Sequence, residues 1–264
     1  MTYEIQTEND ILTMYTKLQN GGIDLRRNNI DISFFVIIVL LAGMSLRSGG
    51  FSNPSDWIMD KVLLVPAIII GLTFHEFAHA VVAYRLGDRT PMIQGRVTLN
   101  PLAHIDWMGL AALFFVGFGW GQPVQIDPYQ FKHRRRDELL VSLAGVVMNL
   151  LLAIVFTFVA KLVLTVAGWD WLSQGFGNGI WQMILYIVQI NLVLMIFNLI
   201  PVPPLDGFNI IAQIFNFGQK EIYWQIYRYG NWILVALIVF GVTGMIISPC
   251  VNAIYSLLVN TILL

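Results

Sequence analysis

His75, Glu76 and His79 form a His-Glu-x-x-His pattern, which sets the two imidazoles four positions apart. On a helix that spacing puts both rings on one face, one turn apart, where they suit a single zinc ion. The glutamate beside the first histidine is then placed to take a proton from an attacking water. What sets this pattern apart is its surroundings. Val62–Ile70 precede it and Ala80–Ala83 follow it, so the water-splitting residues lie inside a run apolar enough to cross a membrane. With four histidines and five glutamates in 264 residues, a chance match is expected on the order of once in a thousand such chains. Each charged group near a bilayer centre costs roughly 2.5–3.5 kcal/mol, so polar residues there need partners and mark sites.

Two histidines leave a catalytic zinc one protein ligand short. The sequence offers Asp206, in Asn198-Leu199-Ile200-Pro201-Val202-Pro203-Pro204-Leu205-Asp206-Gly207. Three prolines in four positions must break the helix just after Ile200. The freed backbone groups need partners in protein or water, so the break delivers an aspartate to the depth of His75 and His79. The lone cysteine, Cys250, excludes an internal disulfide and a cysteine-built zinc site. His104, in Asn-Pro-Leu-Ala-His-Ile-Asp, reads as structural, because the three ligands already leave room for water.

The elements that must position these residues are membrane helices. The chain is 57% hydrophobic and 12% charged, with a mean hydropathy of +0.70, against about 25% charged in a soluble domain. The expected class is an all-α polytopic membrane protein. The net charge of −1 gives no reason to expect a nucleic-acid partner. Residues 1–30 are polar, lack the pattern of a removable signal peptide, and read as a cytoplasmic N-terminal tail. Residues 31–264 read as a single transmembrane domain.

Apolar segments at 31–46, 62–85, 139–167, 180–200 and 231–247 are expected to cross, and 249–264 either crosses or lies along the membrane, giving about six transmembrane helices. Trp107–Gly119 is too short to cross and is interrupted by glycines, which predicts a re-entrant segment. With the N-terminus in the cytoplasm, that side receives Lys17, Arg26, Arg27, Arg85, Arg89, Arg96, Lys132, Arg134, Arg135, Arg136, Lys220 and Arg228. The outer side keeps Arg47, Lys61 and Lys161, the bias expected of a cell-membrane protein with a cytoplasm-facing site. Arg89–Asn100, with β-branched residues around Gly95, predicts a β-hairpin or extended loop between the His75–His79 helix and the re-entrant segment.

These residues carry a resemblance. His-Glu-x-x-His at 75–79, Asn-Pro-Leu-Ala-His at 100–104, Ala144-Gly145-x-x-x-Asn149 and the stretch from Asn198 to Gly207 resemble, in order, the motifs of the site-2 proteases, a family of intramembrane zinc metalloproteases. They place the catalytic core at about 62–210. One departure is Val146, where the family usually has proline. In lacking PDZ and CBS domains the chain is similar to the minimal, sporulation-type branch.

The resemblance implies one zinc held by His75, His79 and Asp206, Glu76 as general base, and a transmembrane protein as substrate. It also implies that Asn149 lies near the cleft, stabilising an oxyanion or fixing substrate, and that Asn198 lies close to the glutamate. The edge of the hairpin at Gly95 is expected to pair with an unwound substrate. Two other classes share features with the chain. A transporter or channel could use intramembrane histidines and a broken helix for metal or protons, but it does not need a glutamate beside the first histidine. A membrane zinc protease acting on prenylated peptides also carries His-Glu-x-x-His, usually with glutamate as third ligand.

Overall fold

A computed structural model describes residues 53–116, 119–218 and 220–263. The expected crossing at 31–46 lies outside them, and the described residues group as one compact unit. Three long helices carry the fold: α1 (Pro54–Arg85), α4 (Arg134–Ala167) and α6 (Gly175–Asn198). Each packs against the other two. Between α1 and α4 come the single turn α2 (Thr90–Ile93) and the ten-residue α3 (Trp107–Val116). The one-turn α5 (Trp169–Leu172) links α4 to α6. After α6 follow α7 (Asp206–Ile214), α8 (Glu221–Val239) and α9 (Val242–Leu258).

Four helical stretches among the described residues are long and apolar enough to cross a membrane: Trp57–Arg85, Arg134–Ala167, Gly175–Asn198 and Val242–Leu263. The last runs through Pro249 without ending there, so the C-terminal apolar segment has the length of a crossing. The expected crossing at 231–247 is not one helix. It contains a break at Gly241, whose φ of +72° ends α8 and starts α9, a conformation that suits a residue without a Cβ. Apolar packing joins α4, α6 and α9 through Val146, Ala153, Val188, Leu192, Met195, Val251 and Leu258.

The hairpin expected at 89–100 is absent, and the described residues contain no strand there. Thr90–Ile93 is a helical turn instead. Pro91 sits in its first turn, where a missing N–H costs nothing, and the Asp88 carboxylate accepts the Thr90 N–H at 2.8 Å. Gly95, exposed and at φ +68°, closes the turn. Local capping therefore outweighs the β preference of the neighbouring residues. Ile105 with Gly121 is an isolated antiparallel bridge. It joins the two ends of the 107–119 segment, and α3 at about 15 Å is half the thickness of a hydrocarbon core. The segment therefore goes out and returns to the level where it started.

Candidate metal centre

His75 and His79 lie on α1, both buried, in the C-terminal half of a helix dominated by apolar side chains. Asp206 reaches them from a distant part of the chain. The proline-rich stretch ends α6 at Asn198, and α7 then begins at Asp206 itself. Asp206 Oδ2 lies 3.3 Å from His75 Nε2 and 3.3 Å from His79 Nε2, and the two Nε2 atoms are 3.0 Å apart. Together these residues form a group able to hold a metal ion.

The protons on the rings are fixed from outside the cluster. The His79 Nδ1–H donates to the carbonyl of Val141 at 2.7 Å, and a carbonyl can only accept. His75 Nδ1 lies 2.6 Å from Asn149 Oδ1. The orientation of that amide is set by its Nδ2, which donates to the carbonyl of Gly71 at 3.2 Å. His75 Nδ1 must therefore carry its proton as well. In the neutral form of each ring the Nε2 atom then offers a lone pair, and the two are turned toward each other and toward a buried Asp206 oxygen that accepts no hydrogen bond from elsewhere. Three potential ligand atoms converging at 3.0–3.3 Å form a site that a cation can fill.

Their spacing fits zinc. Zinc–nitrogen bonds of 2.0–2.1 Å in a tetrahedron place ligand atoms about 3.3–3.4 Å apart. Outer partners on the Nδ1 atoms are what zinc-binding histidines need to fix tautomer and ring orientation.

One face of α4 governs the whole arrangement. Arg135 donates from Nε to the carbonyl of Gln213 at 2.6 Å and from Nη2 to that of Ile214 at 2.7 Å, capping the end of α7 opposite Asp206. Glu138 accepts from Gln213 Nε2. Val141 and Asn149 hold the two rings. Between them, Gly145 lies against both imidazoles. A Cβ there would fall 2.5 Å from Cε1 and 2.7 Å from Nδ1 of His75, and closer still to His79 Nε2.

The glutamate side is built differently. Glu76 is half-buried, and its Oε2 accepts the backbone N–H of Val124 at 3.0 Å. Arg96 Nη1 donates to the carbonyls of Ala103 and Gln122, which ties together the two legs of the loop that carries Val124. Burial lowers the Arg96 guanidinium from its ordinary value, and the nearby Glu76 carboxylate opposes that shift.

The structure thus brings together His75, His79 and Asp206, with Asn149 directly behind His75. His104 is fully buried, donating from Nε2 to the Thr98 carbonyl at 2.8 Å and accepting the Gln122 N–H on its own carbonyl. Asn198 donates to the carbonyl of Leu194 one turn back. Gly95 lies on the exposed turn after α2. Sequence reasoning missed Val124 and Arg135. Val124 acts through its backbone, which leaves no trace in the side-chain pattern. Arg135 was visible only as one member of a basic cluster.

Residues 162–241 match the model of peptidase family M50. A Bacillus subtilis protein named "Putative zinc metalloprotease YwhC" is 40% identical over 190 residues, covering 72% of this chain and 86% of that protein. The chain belongs to peptidase family M50, the site-2 proteases. Relatives named "Putative zinc metalloprotease Rip2" are 30% identical in Mycolicibacterium smegmatis, covering 79% of each chain, and 31% identical in Mycobacterium tuberculosis, covering 70% of this chain and 69% of the relative. No solved structure matches the chain. As an M50 member the protein is a zinc metalloprotease embedded in the membrane. Four long apolar helices, with two members of the candidate metal group on one of them, accord with that membership.

Proposed function

We propose that the protein cleaves peptide bonds within or near transmembrane segments of membrane-protein substrates, using one zinc ion per chain held by His75, His79 and Asp206. The observation that carries this reading is the convergence of the two Nε2 atoms and one carboxylate oxygen at 3.0–3.3 Å. Residues 31–264 act as one catalytic domain, and 1–30 as a tail. The basic-residue bias supports a cell-membrane protein with its N-terminus and site toward the cytoplasm.

When bound, zinc supplies a Lewis acid that makes water acidic near neutral pH and polarises a carbonyl. The chain supplies the rest. Val124 holds Glu76 Oε2, which leaves Oε1 to take the proton of the attacking water and return it to the leaving amine. A substrate helix must unwind locally first, because its peptide bonds are hydrogen-bonded and shielded. His104 and Arg96 keep the 96–124 loop folded beside Glu76 while the substrate segment enters.

Purified Glu76→Gln protein should keep its zinc and lose about 10²–10⁴-fold in cleavage of a membrane-embedded reporter. Cleavage at the parent rate would overturn the assignment. Metal-dependent uptake into liposomes with no cleavage by the parent would favour the transporter reading instead.

A further inference from the structure

The amide of Asn149 has no N–H left to donate to a substrate. Its Oδ1 faces His75 Nδ1, one N–H goes to the Gly71 carbonyl, and the other goes to Asn191 Oδ1 at 2.9 Å. Asn191, on α6, is oriented in turn. Its Nδ2 donates to the carbonyl of Ile187 at 2.8 Å, so its oxygen must face Asn149. Both amides are fully buried between three long apolar helices.

From this directional chain we infer that Asn191 is a positioning residue for the metal centre, acting through Asn149 to fix the tautomer and direction of His75. The chain begins at an obligate acceptor, the Ile187 carbonyl. From there it runs N–H to oxygen twice and ends with the His75 Nδ1 proton pointing outward and the Nε2 lone pair pointing inward. Each link has only one orientation that leaves no donor facing a donor. The Gly71 carbonyl alone could set which end of Asn149 faces His75. Asn191 adds a second point of attachment from a different helix, which stops the amide from swinging about its Cβ. Three helices therefore set the ring: α1 carries it, α4 holds it, and α6 holds the holder.

The inference rests on His75 being a zinc ligand, so the experiment separates the two. Zinc affinity is measured by chelator competition on full-length protein in nanodiscs, in a Glu76→Gln background that prevents self-cleavage. A parent that binds no zinc overturns the metal-site reading itself. With a zinc-binding parent, Asn191→Leu, similar in size but without polar atoms, is expected to weaken zinc binding by about tenfold, the low end of what loss of an outer partner costs. Asn191→Asp, whose carboxyl when protonated offers both an acceptor and a donor in the same places, is expected to stay within about threefold of the parent.

Thr157→Val removes a buried hydroxyl on α4 that bonds only within its own helix, and should leave affinity unchanged. If the Leu variant does not fold, Asn191→Ala is read in the same way. The cobalt(II) absorption spectrum of Asn191→Leu should show altered band positions, while that of Thr157→Val matches the parent. Parent-like affinity in Asn191→Leu overturns the inference. So does equal weakening in Asn191→Leu and Asn191→Asp, which would reduce the role of the residue to packing.

Discussion

The two halves of the proposed active site are held by different kinds of structure. The metal-ligand half is built into helices: His75 and His79 from α1, their outer partners from α4, and Asp206 at the head of α7, whose far end α4 also grips. The glutamate half rests on a loop, where one backbone N–H from Val124 holds Glu76. A metal centre must not move between turnovers, whereas a cleft must accept a segment of substrate several residues long. Helix contacts are therefore concentrated around the proposed metal ligands, and a loop contact holds the proposed base.

That contrast can be broken most severely at the ligands. Replacing Asp206 with Ala removes one of the converging atoms, and metal analysis should find zinc falling from about one per chain toward none. Gly145→Ala attacks the same half without touching a ligand. With a Cβ inside contact distance of both rings, zinc affinity should fall by at least tenfold, while Gly179→Ala, whose added carbon meets nothing nearer than 3.9 Å, should be silent. Parent-like zinc binding in Gly145→Ala would show that α4 does not constrain the rings.

The loop half should respond in the opposite sense. Val124→Pro deletes the N–H that holds Glu76, and a hydrogen bond to a charged group is worth about 1.5–3 kcal/mol. Cleavage should fall about 10–100-fold with zinc content unchanged; loss of zinc would mean that the two halves are not separable. The smallest expected effect is Arg135→Ala, which frees two carbonyls at the end of α7. It should cost about 1–3 kcal/mol of stability, read as a lowered Tm, with a modest loss of zinc affinity through Asp206.

Much of the metal half was legible in the sequence because its residues are chemically out of place. Histidines in an apolar run and three prolines ahead of an aspartate both contradict their surroundings, and such contradictions are informative inside a membrane. Asn191 was open to the same reasoning: an amide in an apolar helix must find a partner. It carries no motif spacing, however, and nothing in its neighbours names Asn149 as that partner. The 89–100 region misled for the opposite reason. β-Branched residues around Gly95 resemble a strand pair, but Asp88 and Pro91 start a helical turn and settle the backbone locally. The break at Gly241 was hidden by hydropathy, since apolar residues continue on both sides of it.

α7 is nine residues long, about 13 Å from end to end. Its first residue supplies one oxygen of the proposed metal site, and its last carbonyls are gripped by Arg135, near the head of α4. Such a short rod has little freedom to bend. A push at Gln213 or Ile214 would be carried along the axis to Asp206, so the Arg135 contact and the proposed metal site are the two ends of one lever.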